Sequence, residues 1–171
     1  FLADPATHPD AEVRSALVLR LAQAAGAAGM VGGQMIDMLA ETRTFDHDEV
    51  VLLQRLKTGQ LFEFSCEAGA ILGRAGDQHR QAMRAYARDM GLVFQITDDL
   101  LDATGSAEKT GKAVGKDAGQ GKATLVSIYG IAGAKKEART IAERAARSLS
   151  DYGDKAAALK ALPLFLLDRE T

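Results

Sequence analysis

Apolar residues recur at three- and four-residue intervals along most of this chain, whereas the two-residue alternation of a half-buried strand is nearly absent. Alanine, leucine, arginine, glutamate and glutamine abound, and no Asn-Gly or Asp-Gly hairpin turn occurs. An all-α fold follows. The first helix is expected over residues about 11–28, with Val13, Leu17, Leu21 and Ala24 on one stripe and Asp10 as its N-cap. Gly26, Gly29, Gly32 and Gly33 then punctuate an apolar stretch that stays helical to about Ala40, and such small residues let a backbone or a ligand come close. Asp46 or Asp48 caps a helix to about Lys57, Thr58-Gly59 interrupts the pattern, and a further helix runs to about Leu72.

After a turn at Gly73 to Gly76, one long helix from Asp77 to about Ala103 points Met83, Tyr86, Met90, Val93 and Phe94 inward. Residues 104–122 lack an apolar period and read as a long loop. Helices at about 123–130, 132–149 and 154–167 complete the pattern, the last bent or shifted by Pro163. With no repeat, linker or composition break, residues 1–171 read as a single domain.

The 171 residues are 47% hydrophobic and 26% charged, with a net charge of -2, which argues against broad nucleic-acid binding. An anion site must therefore be local. Cys66 is alone, and His8, His47 and His79 lie far apart, so neither a disulfide scaffold nor a zinc site is expected. No apolar run is expected to reach the roughly 18 residues of a membrane span, and the chain reads as cytoplasmic. Its first residues, Phe1-Leu2-Ala3-Asp4-Pro5, have no initiator methionine and no signal-peptide shape, and look like the interior of a longer protein.

The strongest chemical signal is Phe94-Gln95-Ile96-Thr97-Asp98-Asp99-Leu100-Leu101-Asp102. On a helix, Asp98 and Asp102 are one turn apart, as are Asp99 and Asp102, with Cβ atoms about 5–6 Å apart. Three neighbouring acids repel unless a cation intervenes, and Mg²⁺ prefers one or two carboxylates completed by water and phosphate oxygens. A solvated acidic turn is the alternative. Lys109, Lys112, Lys116 and Lys122 follow among glycines, able to fold over an anion held by metal or simply to form a surface loop. No P-loop is present, so carboxylates plus lysines point to diphosphate rather than ATP.

These residues resemble the trans-isoprenyl diphosphate synthases, the polyprenyl synthetase family. Phe94-Gln95-x-x-Asp98-Asp99-x-x-Asp102 is similar to the family's second aspartate-rich motif, and Gly111-Lys112, Gly115-Lys116-Asp117 and Gly121-Lys122-x-Thr124-Leu125 to the lysine loop behind it. Upstream, Gly29-Met30-Val31-Gly32-Gly33-Gln34-x-x-Asp37 looks like the pattern of short-chain members, and Leu56-Lys57-Thr58-Gly59-x-Leu61 like the Lys-Thr break between two helices. The resemblance covers essentially the whole chain and implies an antiparallel helical bundle that lacks its N-terminal helices.

It further implies condensation of isopentenyl diphosphate with an allylic diphosphate, driven by Mg²⁺-assisted loss of diphosphate, in a homodimer. By the same resemblance Asp98 and Asp102 ligate Mg²⁺, and Asp99 ligates it or holds its water. Lys57, Lys112 and Lys122 bind the allylic diphosphate, Thr58 and Gln95 set oxygens near the carbocation, Gln34 and Asp37 line the site and position Lys57, and Phe94 forms pocket wall. The family's first aspartate-rich motif and the arginines for isopentenyl diphosphate are not in the chain, which leaves product length undetermined and the fragment alone inactive. Two other readings stay open: a non-catalytic helical module of the same fold, and, ranked lower, a class I terpene cyclase. A truncated bundle is expected to leave Leu17, Leu21, Phe62, Val93 and Phe94 facing water and so to associate.

Overall fold

The computed structural model describes residues 1–110 and 124–168, with side chains over 1–104 and 124–168. Its elements are α1 (Ala11–Ala25), α2 (Met30–Ala40), α3 (His47–Gln54), a π-helical turn (Arg55–Gly59), α4 (Gln60–Leu72), α5 (Asp77–Thr110), α6 (Leu125–Ser148), a 3-10 segment (Ser150–Ala156) and α7 (Ala157–Leu167). No strand occurs among the described residues, as the periodicity predicts. Caps sit where the sequence puts them: Asp10 accepts from the Glu12 amide at the start of α1, and Asp46 and Glu49 form a capping box on α3.

Four boundaries differ from expectation. The break at Thr58-Gly59 is no break; the chain stays helical from His47 to Leu72 and absorbs the irregularity as a π turn. Helix α5 continues to Thr110, so residues 104–110 are helical rather than loop. The two helices expected over 123–149 form one element, bent where Gly130 adopts φ 68°. The stretch before Ala157 is 3-10, and Pro163 is accommodated inside α7.

Helix α5 is the spine, packing on α4, α6, α7 and the π turn. Its inward face supplies Tyr86, Met90, Val93, Ile96 and Leu100 to the main core, joined by Val50 and Leu53 of α3 and Ala138, Ile141 and Ala142 of α6. At the edge of the α5–α6 contact, Arg144 donates through Nε and Nη2 to the two oxygens of half-buried Asp89 at 2.8 and 2.7 Å. A second, polar seam joins α1, α4 and α5. Glu67 is 2% exposed and accepts from Arg20 Nε at 2.8 Å and Arg84 Nη1 at 2.7 Å. One turn earlier Glu63 is equally enclosed, with Arg88 only at 3.7 Å.

The stripe expected to face water is covered instead: Leu17 and Val93 are fully buried, and Leu21, Phe62 and Phe94 are half-buried. Helices α1 and α2 carry a second apolar face, and that one is open, with Leu19 58%, Met35 58% and Met38 54% exposed alongside Val18, Val31 and Leu39. The reason is that α4 and the π turn already cover the first face. This also corrects the expectation that no apolar run reaches membrane-span length, since Ala11–Ala40 holds a window of mean hydropathy 1.3. That stretch is two helices of the bundle, divided at Gly26–Gly29, rather than one continuous rod.

Glycines decide how close α2 and α5 come to the π turn. A Cβ on Gly33 would lie 2.3 Å from the Lys57 amide nitrogen and 2.6 Å from its Cα, and one on Gly91 would lie 3.2 Å from the Gly59 Cα. The π turn is thus held between two glycine-bearing helices, backbone against backbone.

Two stability outcomes follow from this packing. Gly33→Ala is expected to cost on the order of 3 kcal/mol in urea denaturation, because backbone cannot yield as a side chain does. Gly69→Ala, where nothing lies within 4 Å, should gain about 0.5–1 kcal/mol from helix propensity. Burial pushes the Glu63 carboxyl above its ordinary value of 4.5 against the opposing pull of Arg88 and Arg55. The folded state therefore holds more protons than the unfolded one just above pH 4.5, and Glu63 costs stability as pH rises through that window. Glu63→Gln should raise the thermal midpoint at pH 7 and lose that gain below pH 4.5, as followed by circular dichroism.

Candidate functional site

The geometry of the π turn brings the candidate side chains Lys57 and Thr58 to their partners on α2 and α5. A π turn places one more residue per turn than an α-helix, so residues beside it leave the ordinary face pattern. Lys57 and Thr58 lie in this turn, toward α2 on one side and α5 on the other. Lys57 Nζ donates to Asp37 Oδ2 at 2.5 Å, with the two side chains 40% and 28% exposed. Thr58 Oγ1 donates to Gln95 Oε1 at 2.6 Å, joining the π turn to α5.

Along α5, Gln95 stands three residues before Asp98 and seven before Asp102, so all three fall on one helical stripe. Asp98 is half-exposed and Asp102 exposed, but Asp99 is buried at 8% exposure. Gln54, the last residue of α3, donates from Nε2 to Asp99 Oδ2 at 3.1 Å. The three acids therefore divide by helical rotation, two toward the surface and one into the seam with α3.

The structure brings together Asp37, Lys57, Thr58 and Gln95, with Asp98 and Asp102 continuing the same stripe. Gln34 is exposed on α2, one turn before Asp37. Phe94 is half-buried and tilts against Phe62, ring centroids 5.4 Å apart, which makes it part of the wall between core and site. Lys112, Lys116 and Lys122 lie outside the described residues, as does the side chain of Lys109.

Sequence reasoning missed Gln54. Its signal was available, since Val50, Leu53 and Gln54 occupy the i, i+3 and i+4 positions that α3 turns inward, and an amide at an inward position needs a partner. It also missed the π turn itself and the Arg20–Glu67–Arg84 cluster, whose partners are distant in sequence.

Among the described residues no three His, Cys, Asp or Glu side chains group to hold a metal by themselves. The donor set fits a different kind of ion site. Two carboxylates one turn apart on α5, Asp98 half-exposed and Asp102 exposed, match a hard cation that completes its shell with water and phosphate oxygens. Chemically, the arrangement offers carboxylates for a cation, an ammonium for an anion and two neutral oxygens, from Thr58 and Gln95, between them.

Known proteins resemble this chain in sequence and fold. Residues 11–162 match the family model described as Polyprenyl synthetase. A farnesyl diphosphate synthase from Geobacillus stearothermophilus is 42% identical over 147 residues, 86% of this chain and 50% of that protein. The structure of an FPP/GFPP synthase from Zymomonas mobilis aligns with a TM-score of 0.82 at 42% identity, covering 96% of this chain and 55% of that one. A geranyltransferase from Helicobacter pylori, solved with magnesium and isoprenyl diphosphate, aligns at 26% identity and TM-score 0.73, covering 92% and 52%. The chain spans about half the length of the relatives it matches. With the family model matched over most of its length, this chain belongs to the polyprenyl synthetase family.

Proposed function

We propose that the chain carries one side of a short-chain prenyl-transfer site, in which an allylic diphosphate ionises and isopentenyl diphosphate adds to the resulting cation. The carrying observation is the convergence of Lys57, Thr58 and Gln95 with the Asp98/Asp102 stripe at one π turn. Farnesyl diphosphate is the product this reading favours, with geranylgeranyl diphosphate as the alternative, since both activities name relatives of the chain.

In this reading Asp98 and Asp102 hold Mg²⁺, with Asp99 set back from it. The bound ion supplies charge neutralisation for the departing diphosphate. Lys57 Nζ binds a diphosphate oxygen and is held in place by Asp37 until that oxygen arrives. Lys112 and Lys122 belong to the same anion set. Thr58 and Gln95 turn neutral oxygens toward the allylic carbons, which stabilise positive charge without forming a bond to it. Phe94 and Phe62 keep water from the adjoining wall, and Gln34 borders the entrance beside Asp37.

We further read the open apolar face of α1 and α2 as the surface on which a second copy packs, because a patch of that kind marks a protein contact rather than free surface. A single cysteine and diphosphate substrates fit a cytoplasmic setting.

Radiolabelled prenyl transfer by the intact gene product tests the reading. Asp98→Ala and Asp102→Ala are each expected to lower turnover by about 10²–10³-fold or more, and Lys57→Ala to raise KM for the allylic substrate. Near-parental rates in both aspartate variants would overturn it.

A further inference from the structure

Beside the π turn lies a cavity of about 130 Å³, with Val51, Gln54 and Arg55 on one wall and Arg88, Asp89 and Leu92 of α5 on the other. Lys57, Thr58 and Gln95 do not line it. Two guanidinium groups border this space, and they are short of carboxylates. Arg55 has no ion pair among the described residues, and Arg88 reaches only Glu63, at 3.7 Å. Asp89 does not balance them, because Arg144 already engages both of its oxygens. The cavity also has an unmet acceptor in its wall. Gln54 is 8% exposed and donates from Nε2 to Asp99, while its Oε1 has no hydrogen-bond partner among the described residues. A buried carbonyl without a donor is costly, so the place calls for an O–H as well as for negative charge. Apolar Val51 and Leu92 lower the local dielectric, which strengthens the pull of both arginines on an anion.

We propose that this cavity is an anion site, separate from the residues read as prenyl-transfer groups, and that it takes inorganic phosphate: phosphate oxygens accept from Arg55 and Arg88 while the remaining O–H donates to Gln54 Oε1. The need for a proton selects among oxyanions. Near pH 8 hydrogen phosphate keeps one O–H, whereas sulfate has none and a phosphate monoester, with its second pKa at about 6, has lost its own. Against either of those, the Gln54 carbonyl faces oxygen with oxygen. The inference does not depend on which substrate reacts beside Lys57.

Isothermal titration calorimetry on the intact protein tests it at about pH 8 with phosphate, sulfate and methyl phosphate, in EDTA so that no metal bridges the anion. Phosphate is expected to bind, and the other two at least about tenfold more weakly, the scale of one acceptor left without its donor. Arg55→Gln and Arg88→Gln should each weaken phosphate by about tenfold or more. Because Arg55 is exposed, its substitution probes the site without disturbing the core. Gln54→Met should bring phosphate down to the level of sulfate, removing the preference while both arginines remain. Lys57→Ala should leave that preference intact. Equal affinity for phosphate and sulfate in the parent would reduce the cavity to unselective charge attraction and overturn the proposal. So would phosphate binding that is lost in Lys57→Ala yet kept in Arg55→Gln and Arg88→Gln, or no binding at millimolar phosphate.

Discussion

Contact between the backbones of Gly33 and Leu56–Lys57 is the constraint on which the site depends. Helices with ordinary side chains at a crossing keep their axes about 8–10 Å apart. Here a Cβ at Gly33 would fall inside the van der Waals radius of the Lys57 backbone, so only glycine allows the approach. On the other flank, Gly91 of α5 stands against Gly59. With α2 and α5 both drawn in to the π turn, Asp37 comes within reach of Lys57 and Gln95 within reach of Thr58. A methyl group at either crossing would move a whole helix, and with it a hydrogen-bonded pair.

Much of this was legible in the sequence. The inward stripe of α5 is a direct record of burial, and Tyr86, Met90 and Val93 lie where the period places them. Asp10 and Asp46 announce their helices because a cap is a local device. Asp98, Asp99 and Asp102 stand out by residue type and helical spacing, whereas Lys57, Thr58 and Gln95 are singled out only by their resemblance to the family's motifs. Their pairings were less readable, because the structure adds partners that spacing cannot supply: Gln54 meets Asp99 across 45 residues and Arg20 meets Glu67 across 47. The π turn was read as an interruption for a related reason. Its extra residue leaves no compositional trace, and a shifted face looks the same as an ended helix.

Apolar periodicity marks the covered stripe of α1, with Val13, Leu17 and Ala24 buried, but not the second apolar face beside it. Leu17 and Ala24 are inside, but α1 and α2 carry enough additional apolar residues to build a second face through Val18, Leu19, Met35 and Met38. A helix that is apolar nearly all round reports that it is enclosed, without saying by what. Acidic residues show the opposite economy. Glu67 is enclosed by two arginines and Asp99 by an amide, each serving the packing of helices, while Asp98 and Asp102 stay toward solvent.

The pairing of Lys57 with Asp37 alters what it means for an anion to bind there. An ammonium alone in water is surrounded by exchangeable solvent and samples many rotamers; this one is already extended, at 2.5 Å from a carboxylate. A phosphate oxygen arriving there, as the proposed function requires, would meet a lysine already paired with a carboxylate. On the proposed reading of Lys57 as an anion-binding residue, binding would exchange one oxyanion for another rather than capture an anion on an open cation. The displaced Asp37 carboxylate remains nearby, about a third exposed, able to take the lysine back when the anion leaves.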